Sequence, residues 1–471
     1  MAYKIYSRSP TKMKRFLKKI AEKTLPFPYK YGIGFTQKYR HQMKYFNLFM
    51  KTQWFSQEEI EKFQNERLRI IIDHAYDNVP YYHKLFIENK IKPSDIQTKE
   101  DLKIIPVLTK PLIRQNYKDF IAKNADKFQP FEFSTSGSTG EPLKYYNDFE
   151  LTRIINAAIW RHWVWTGLRR GQTTAVFTGT LIDEFGKKQP ELVKRIDYEY
   201  NFSTFKMNNE VMSKYVQIFN KVKPKLVRGY PTSLEIFARF IVENKIKVTS
   251  PASIQTGSEV VDSEQRKLIE QAFNAPLFNW YGHGENTMAA GECNFKQGLH
   301  QNQELGIFEF KKTDETKNME DIYNVYTTSL WNFSMPFIRY DTEDLAKITE
   351  KRMCDCGRGL LLINELIGRK ADIIEGPNGV FVAPSSFIHY WKNRIDTQIS
   401  GVKYYQAIQE KLDSLRIRIV GEKSAVNEKI IYEQLQQLLG NMKIRFEYID
   451  KIPPDQKWRT TVSLLKQTLK S

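Results

Sequence analysis

The sequence predicts an α/β protein in two parts: a large N-terminal domain of mixed sheets and helices, and a small α+β domain at the C-terminal end. Three observations carry this expectation. At 471 residues the chain exceeds what a single hydrophobic core organises. From about residue 170, short apolar runs alternate with helix-length segments, as βα units do. Beyond about residue 368 that rhythm gives way to strands around one helix. Apolar residues at 41% and aromatics at 13% supply ample material for burial and exclude a wholly disordered chain.

The elements follow in order. Residues 1–60 carry 13 Lys/Arg against three Glu, more than half of the net charge of +18. Met13, Phe16, Leu17, Ile20 and Leu25 recur there at helical spacing among the basic residues. Such a basic amphipathic helix has two readings. It lies on an anionic membrane surface, at roughly 1 kcal/mol per basic residue near lipid, or it packs its apolar stripe on the body of the protein. No nucleic-acid-binding motif accompanies the charge, so nucleic acid is not an expected partner. Residues 1–56 are therefore set apart from a large domain over 57–367. In that domain residues 57–90 read as helical, because Ile60, Phe63, Leu68, Ile71 and Ile72 recur at three- and four-residue steps until Val79-Pro80. Lys103 to Pro111 reads as a connection, and Thr173–Thr178, Leu226–Tyr230 and Leu277–Tyr281 as strands. In the small domain, 368–471, Lys403–Tyr405 and Leu415–Val420 read as strands, Asn427–Leu439 as a helix and Ile444–Ile449 as another strand.

No apolar run reaches the about 18 residues of a membrane-spanning helix. The N-terminal charge is not followed by the apolar run of a secretory signal, and three cysteines do not make a disulfide framework. A reducing cytoplasm is the expected setting, with the inner membrane face as a peripheral variant.

The segment richest in chemistry is Phe133-Ser134-Thr135-Ser136-Gly137-Ser138-Thr139-Gly140-Glu141-Pro142-Leu143-Lys144. Its glycines let the backbone turn tightly and aim N–H groups at an anion, and its hydroxyls add donors. A Ser/Thr/Gly surface loop has the same composition. Neither the Walker-type phosphate loop nor the dinucleotide fingerprint is present.

Further motifs follow it in a fixed order. The loop resembles the phosphate-binding signature of the adenylate-forming superfamily, which includes acyl-CoA synthetases and peptide-synthetase adenylation domains. Thr256-Gly257-Ser258-Glu259 resembles that family's adenine-side segment, and Tyr281-Gly282-His283-Gly284-Glu285 its Tyr-Gly-x-Thr-Glu motif. Arg339-Tyr340-Asp341-Thr342-Glu343-Asp344 is similar to Tyr-x-Thr-Gly-Asp, and Gly368-Arg369-Lys370-Ala371-Asp372 to the Gly-Arg motif before the hinge. His74 to Tyr82, Pro106 to Lys110 and Arg228 to Ser233 resemble the phenylacetate-CoA ligase branch and its capsule-biosynthesis relatives.

The resemblance implies an adenylate-forming fold and assigns roles. Ser136, Gly137, Ser138, Thr139, Gly140 and Lys144 would hold the phosphates of ATP, and Glu285 would hold Mg²⁺, a hard cation suited to carboxylate oxygen. Gly257, Ser258, Glu259, Tyr281 and Gly282 would line the adenine side, Asp344 would take the ribose hydroxyls, and Arg369 would assist near ribose and phosphate. Ala371 and Asp372 would form the hinge, and Lys457 would be the catalytic lysine of the small domain, reaching carboxylate and α-phosphate. Three residues depart from the pattern. Gly284 stands in place of Thr and removes a hydroxyl that contacts the nucleotide phosphate. Glu343 stands in place of Gly and adds a charge beside the ribose. Gln456 precedes Lys457 where Gly is usual.

All three cysteines fall in one constellation with a histidine: Cys293-x₆-His300, then Cys354-x-Cys356. A Cys₃His set suits structural Zn²⁺, although buried cysteines also occur without metal. Aromatics near Tyr230, Trp280 and Tyr281 are compatible with an aryl acid and equally with ordinary core. The expected function is ATP-dependent activation of a carboxylic acid as its acyl-adenylate with release of pyrophosphate, then transfer to CoA. An amine acceptor, such as an amino sugar of a surface polysaccharide, is the alternative. An inactive nucleotide-binding scaffold is the third.

Overall fold

The computed structural model describes residues 37–134, 143–168, 172–178, 193–196, 198–204, 207, 209–312, 321–369, 374–377, 381–382, 387, 390–395, 398–450 and 460–465. The expected basic helix over Met13–Leu25, the loop residues Ser136 to Gly140, hinge residues Ala371 and Asp372, and Gln456 and Lys457 lie outside them.

The chain enters through helix α1 (Gln37–Thr52). Its Met43, Tyr45, Phe46 and Phe49 are buried against Ile154, Ala157, Ala158, Trp160 and Trp163, so this stretch belongs to the large core although the sequence grouped it with the basic segment. Helix α2 (Gln57–Asn78) begins at a capping box: Glu59 N donates to Ser56 Oγ at 3.2 Å, and Ser56 N to Glu59 Oε2 at 2.8 Å. Its Ile60, Leu68, Ile71 and Ile72 are fully buried. The helix stops because Val79 precedes a proline and takes an extended conformation. Pro80 then opens α3 (Pro80–Glu88) at the one helical position where a missing N–H is harmless. After α4 (Lys110–Gln115) comes a hairpin of β1 (Pro130–Ser134) and β2 (Lys144–Asp148), whose pairing ends at Ser134 and Lys144.

Helix α5 (Phe149–Trp165) leads into the largest sheet. Along the chain its strands are β3 (Thr174–Thr178), β4 (Val193–Ile196), β5 (Glu199–Ser203), β6 (Leu226–Gly229), β7 (Ser253–Gly257), β8 (Leu277–Gly282), β9 (Ala289–Glu292) and β10 (Leu299–Gln301), with α6 (Asn209–Val222), α7 (Pro231–Glu243) and α8 (Ser263–Phe273) between them. Strands β5, β3, β6, β7 and β8 run parallel, as the βα spacing predicted. Between sheet and helices, Phe177, Phe202, Tyr215, Phe219, Phe237 and Phe273 form one buried cluster.

Next come β11 (Gly306–Lys311), β12 (Ile322–Ser329), β13 (Tyr340–Lys347), β14 (Leu362–Ile363) and β15 (Glu365–Arg369). The short β14 returns to the edge of the large sheet, giving the order β14-β10-β9-β8-β7-β6-β3-β5-β4, whereas β11-β12-β13-β15 form an antiparallel sheet of their own. A small pair, β16 (Ile374–Glu375) and β17 (Phe381–Val382), precedes the last sheet. That sheet orders β20-β19-β18-β21 from β18 (Val402–Lys411), β19 (Ser414–Gly421), β20 (Lys443–Ile449) and β21 (Thr461–Ser463). Helix α9 (Glu428–Leu439) buries Ile431, Leu435 and Leu439 in a cluster with Leu415, Ile417 and Ile419. Among the described residues no helix is long and apolar enough to cross a membrane.

Candidate active site

Strands β6, β7 and β8 end in Gly229, Gly257 and Gly282 at the carboxyl edge of the parallel sheet, where Gly229 pairs with Thr256 and Gly257 with Trp280. Ligands of open α/β sheets bind at that edge. Just past β7, Ser258 takes a φ of 70°, and Glu259 turns back to accept from Thr232 N at 3.1 Å and Thr232 Oγ1 at 2.8 Å at the start of α7.

Past β8, the chain presents Glu285, which is 6% exposed. Its Oε1 accepts from the Tyr340 hydroxyl at 2.6 Å, and its Oε2 from His283 Nδ1 at 2.8 Å. The far ring nitrogen of His283 meets Thr287 Oγ1 at 2.9 Å, which fixes the imidazole between carboxylate and hydroxyl. Burial by itself would push the Glu285 carboxyl up. The adjacent His283, the Tyr340 hydroxyl and Lys110 outweigh burial and hold it well below the usual carboxylate range. Burial first, then the Glu285 charge, pushes the Tyr340 phenol well above its ordinary value, so it remains a donor.

Strand β13 supplies the opposite wall. Tyr340 reaches Glu285, and four residues on Asp344 Oδ2 accepts from the Tyr281 hydroxyl at 2.7 Å. Two tyrosines thus cross-link the end of β8 to one strand that carries the second carboxylate. Arg369, on β15, pairs in register with Asp344. Between them Glu343 adopts a φ of 63°, a left-handed conformation that suits the glycine of the resembled motif. Its carboxylate is anchored by the buried Lys110 Nζ at 2.6 Å, which places an ion pair where a glycine was expected. The preceding Arg339 also has a positive φ, and it binds Glu309 and the carbonyls of Lys103 and Ile105, fastening the Lys103–Pro111 connection to β13.

The β1–β2 hairpin brings strand β2 to the same place. Asn147 Nδ2 donates to the Gly284 carbonyl at 3.0 Å, and Tyr145 lies beside Gly284 and Glu285. Strand alternation puts Lys144 on the other face, 64% exposed, 3.4 Å from Glu132. Lys144 therefore leaves β2 on the face opposite Tyr145, which lies beside Glu285.

A second cluster flanks these elements. The ligand atoms of Cys293, His300, Cys354 and Cys356 all lie within 4.8 Å of one another. Cys293 Sγ is 3.7 Å from Cys354 Sγ, and His300 Nε2 is 3.3 Å from Cys293 Sγ and 3.5 Å from Cys356 Sγ. Zn–S bonds near 2.3 Å and Zn–N bonds near 2.0–2.1 Å imply tetrahedron edges of about 3.8 Å for S–S and about 3.6 Å for S–N. These three separations are close to those edges, and the whole donor set spans 4.8 Å. The Nδ1 of His300 lies 3.2 Å from the Leu360 carbonyl, which fixes the proton on that nitrogen and leaves Nε2 free to ligate. Burial drives its imidazole down to about 4, so it is neutral.

Comparison with known proteins bears on the whole chain. Residues 374–463 match the family model of the CapK C-terminal domain. Protein CapK of Staphylococcus aureus is 24% identical over 429 residues, covering 87% of this chain and 90% of the relative. A phenylacetate-coenzyme A ligase of Thermus thermophilus is 23% identical over 339 residues, 68% of this chain and 73% of that protein. The solved structure of 2-hydroxyisobutyryl-CoA ligase in the postadenylation state, in complex with R3-HIB-AMP, matches with a TM-score of 0.66 at 18% identity, covering 87% of this chain and 90% of that one. The chain thus shares the fold of that CoA ligase and is similar in sequence to CapK and to phenylacetate-coenzyme A ligases.

Within that fold, Gly257, Ser258, Glu259, Tyr281, Gly282, Glu285 and Asp344 stand on neighbouring edges, joined by the two tyrosine bridges. Sequence reasoning missed Tyr145, His283, Lys110 and Tyr340 as functional neighbours. Tyr340, His283 and Lys110 lie inside quoted motifs, so a signal existed. Only the period-two alternation of β2 could have pointed to Tyr145.

Proposed function

We propose that this chain activates a carboxylic acid with ATP and Mg²⁺, forming an acyl-adenylate and releasing pyrophosphate, and passes the acyl group to CoA. The observation that carries the reading is the pair of bridges Tyr340–Glu285 and Tyr281–Asp344, which tie two carboxylates to one strand beside the hairpin of the hydroxyl-rich loop. A substrate carboxylate oxygen attacks the α-phosphorus, and the bond to the pyrophosphate oxygen breaks. Negative charge gathers there, and the chain's task is to hold it.

Glu285 stays anionic at neutral pH and is oriented at both oxygens, which suits a Mg²⁺ ligand. The cation, when bound, would neutralise phosphate charge. Asp344, fixed by Tyr281, would accept from the ribose hydroxyls, and the loop amides and hydroxyls of Ser136 to Gly140 would cradle the phosphates. Arg369, Lys457 and the hinge at Ala371–Asp372 keep the roles that the resemblance implies. Cys293, His300, Cys354 and Cys356 would hold structural Zn²⁺, whose donor spacing supports the assignment. It would clip the β9–β10 turn to the loop before β14.

An amine acceptor is the second reading, favoured by the CapK match of the small domain. The scaffold reading loses support. Two of its three departures are matched by local partners, Gly284 by Tyr145 and Glu343 by Lys110.

Pyrophosphate exchange across aromatic, aliphatic, amino and sugar acids tests adenylation, and adding CoA tests the acceptor. The expected result is acid-dependent exchange, with faster AMP release and an acyl-CoA product when CoA is present. No exchange with any class, together with no binding of MgATP, sinks the proposal.

A further inference from the structure

Position 284 and Tyr145 compete for one space. A Cβ added to Gly284 would fall inside van der Waals contact of the Tyr145 hydroxyl oxygen and 3.4 Å from its Cζ. No side chain at 284 coexists with Tyr145 where it stands. The tyrosine is 3% exposed, and its ring packs against Phe133 at 6.0 Å and Phe337 at 6.5 Å between centroids. Asn147, two residues along the same strand face, ties that strand to the Gly284 carbonyl. The phenol oxygen is thus held against the position that the first side-chain atom at 284 would take.

Buried tyrosine hydroxyls ordinarily find an acceptor. Tyr340 donates to Glu285 and Tyr82 to the Pro336 carbonyl. Tyr145, at 3% exposed, makes no hydrogen bond to any described residue. It stands on the strand that leaves the hydroxyl-rich loop, next to Glu285.

We propose that the Tyr145 hydroxyl is a nucleotide-binding group, donating to a phosphate oxygen of the bound nucleotide in place of the side-chain hydroxyl that the resembled motif carries at position 284. The proposal rests on the adenylation reading and deepens it. The departure at Gly284 is then a relocation of the donor from the β8 side of the cleft to β2.

The test is binding of MgATP by calorimetry, with thermal midpoints as the control for folding. Tyr145→Phe deletes one oxygen and keeps the ring. It is expected to raise Kd by about ten- to a hundredfold, the range for a lost hydrogen bond to a charged group, with little change in the midpoint. Gly284→Thr alone is expected to lose binding, because the new side chain meets Tyr145. Tyr145→Val with Gly284→Thr moves the hydroxyl back across the cleft, and it is expected to bind about tenfold more tightly than Tyr145→Val alone. A purely structural role for the tyrosine would not give that rescue.

Tyr145→Phe binding within twofold of wild type, or a double variant no better than Tyr145→Val, overturns the assignment and leaves the adenylation reading standing. A wild type that does not bind MgATP overturns both.

Discussion

Cys354→Ser probes the metal cluster with the smallest change in packing, since one sulfur becomes one oxygen and a thiolate becomes a hydroxyl that does not ionise near neutral pH. Cys293 and Cys354 are 61 positions apart, so an ion shared between them closes a long loop. Loop-closure entropy for that span is on the order of 4 kcal/mol at 25 °C, whether the clip is a disulfide or a metal. A cooperative unit the size of the large domain has an unfolding entropy near about 0.7 kcal/mol/K, so losing the clip lowers the thermal midpoint by about 6 °C. The assay has two arms. Elemental analysis of wild type purified without chelator is expected to give one zinc per chain, and Cys354→Ser well below one. A strong zinc chelator is expected to lower the wild-type midpoint by that amount and to leave the variant unmoved. Wild type without stoichiometric zinc, or with a midpoint that the chelator does not shift, refutes the reasoning.

Three further expectations follow from the site. Glu285→Gln keeps the shape of the side chain and removes its charge, so acid-dependent pyrophosphate exchange is expected to fall by about 10²–10³, and exchange within threefold of wild type would contradict the Mg²⁺ role. Tyr340→Phe removes the donor to Glu285 Oε1 and is expected to lower stability at pH 7 by about 1.5–3 kcal/mol. The sign with pH follows from the depressed Glu285 carboxyl: the stabilisation is fully present above the unfolded value near 4.5 and is lost as pH falls through the lower folded value. Wild type and Tyr340→Phe therefore lose this stabilisation in parallel as pH falls below the unfolded value, and the gap in thermal midpoint closes only as pH falls through their folded values, below about pH 3; a gap that closes already between pH 7 and pH 5 would count against it. Lys457→Ala is expected to slow adenylation far more than thioester formation from a supplied adenylate, whereas equal losses in the two half-reactions would remove Lys457 from its assigned role.

Much of the fold was legible because local and tertiary demands agree. Ile60, Leu68, Ile71 and Ile72 mark the buried stripe of α2, and Val79-Pro80 marks its end through a backbone restriction that acts whatever the context. Leu226 and Leu277 open strands of the parallel sheet, whose buried strands need apolar runs, whereas Leu415, Ile417 and Ile419 alternate with polar residues along β19. Helix α1 was misplaced because its surplus of basic residues hides an apolar face, Met43, Phe46 and Phe49, that only packing on α5 explains. At the site, Glu285 and Asp344 were readable from their motifs. Their partners were not all readable, because Tyr145 and Gly284 are 139 positions apart and meet only through the fold. The face of Lys144 was likewise not readable, because only the pairing of β2 with β1 decides which way each side chain of that strand points.

The mutual exclusion at Gly284 inverts a common engineering habit. Replacing a rare residue with the one its relatives prefer usually adds stability or activity. Here Gly284→Thr would restore the commoner motif and break the cleft, because Tyr145 already fills the vacancy that such a side chain requires. Divergence at this corner has to proceed in pairs, with position 145 shrinking before position 284 grows. Copying the residue of the resembled motif into position 284 would select the wrong residue there for as long as Tyr145 stays.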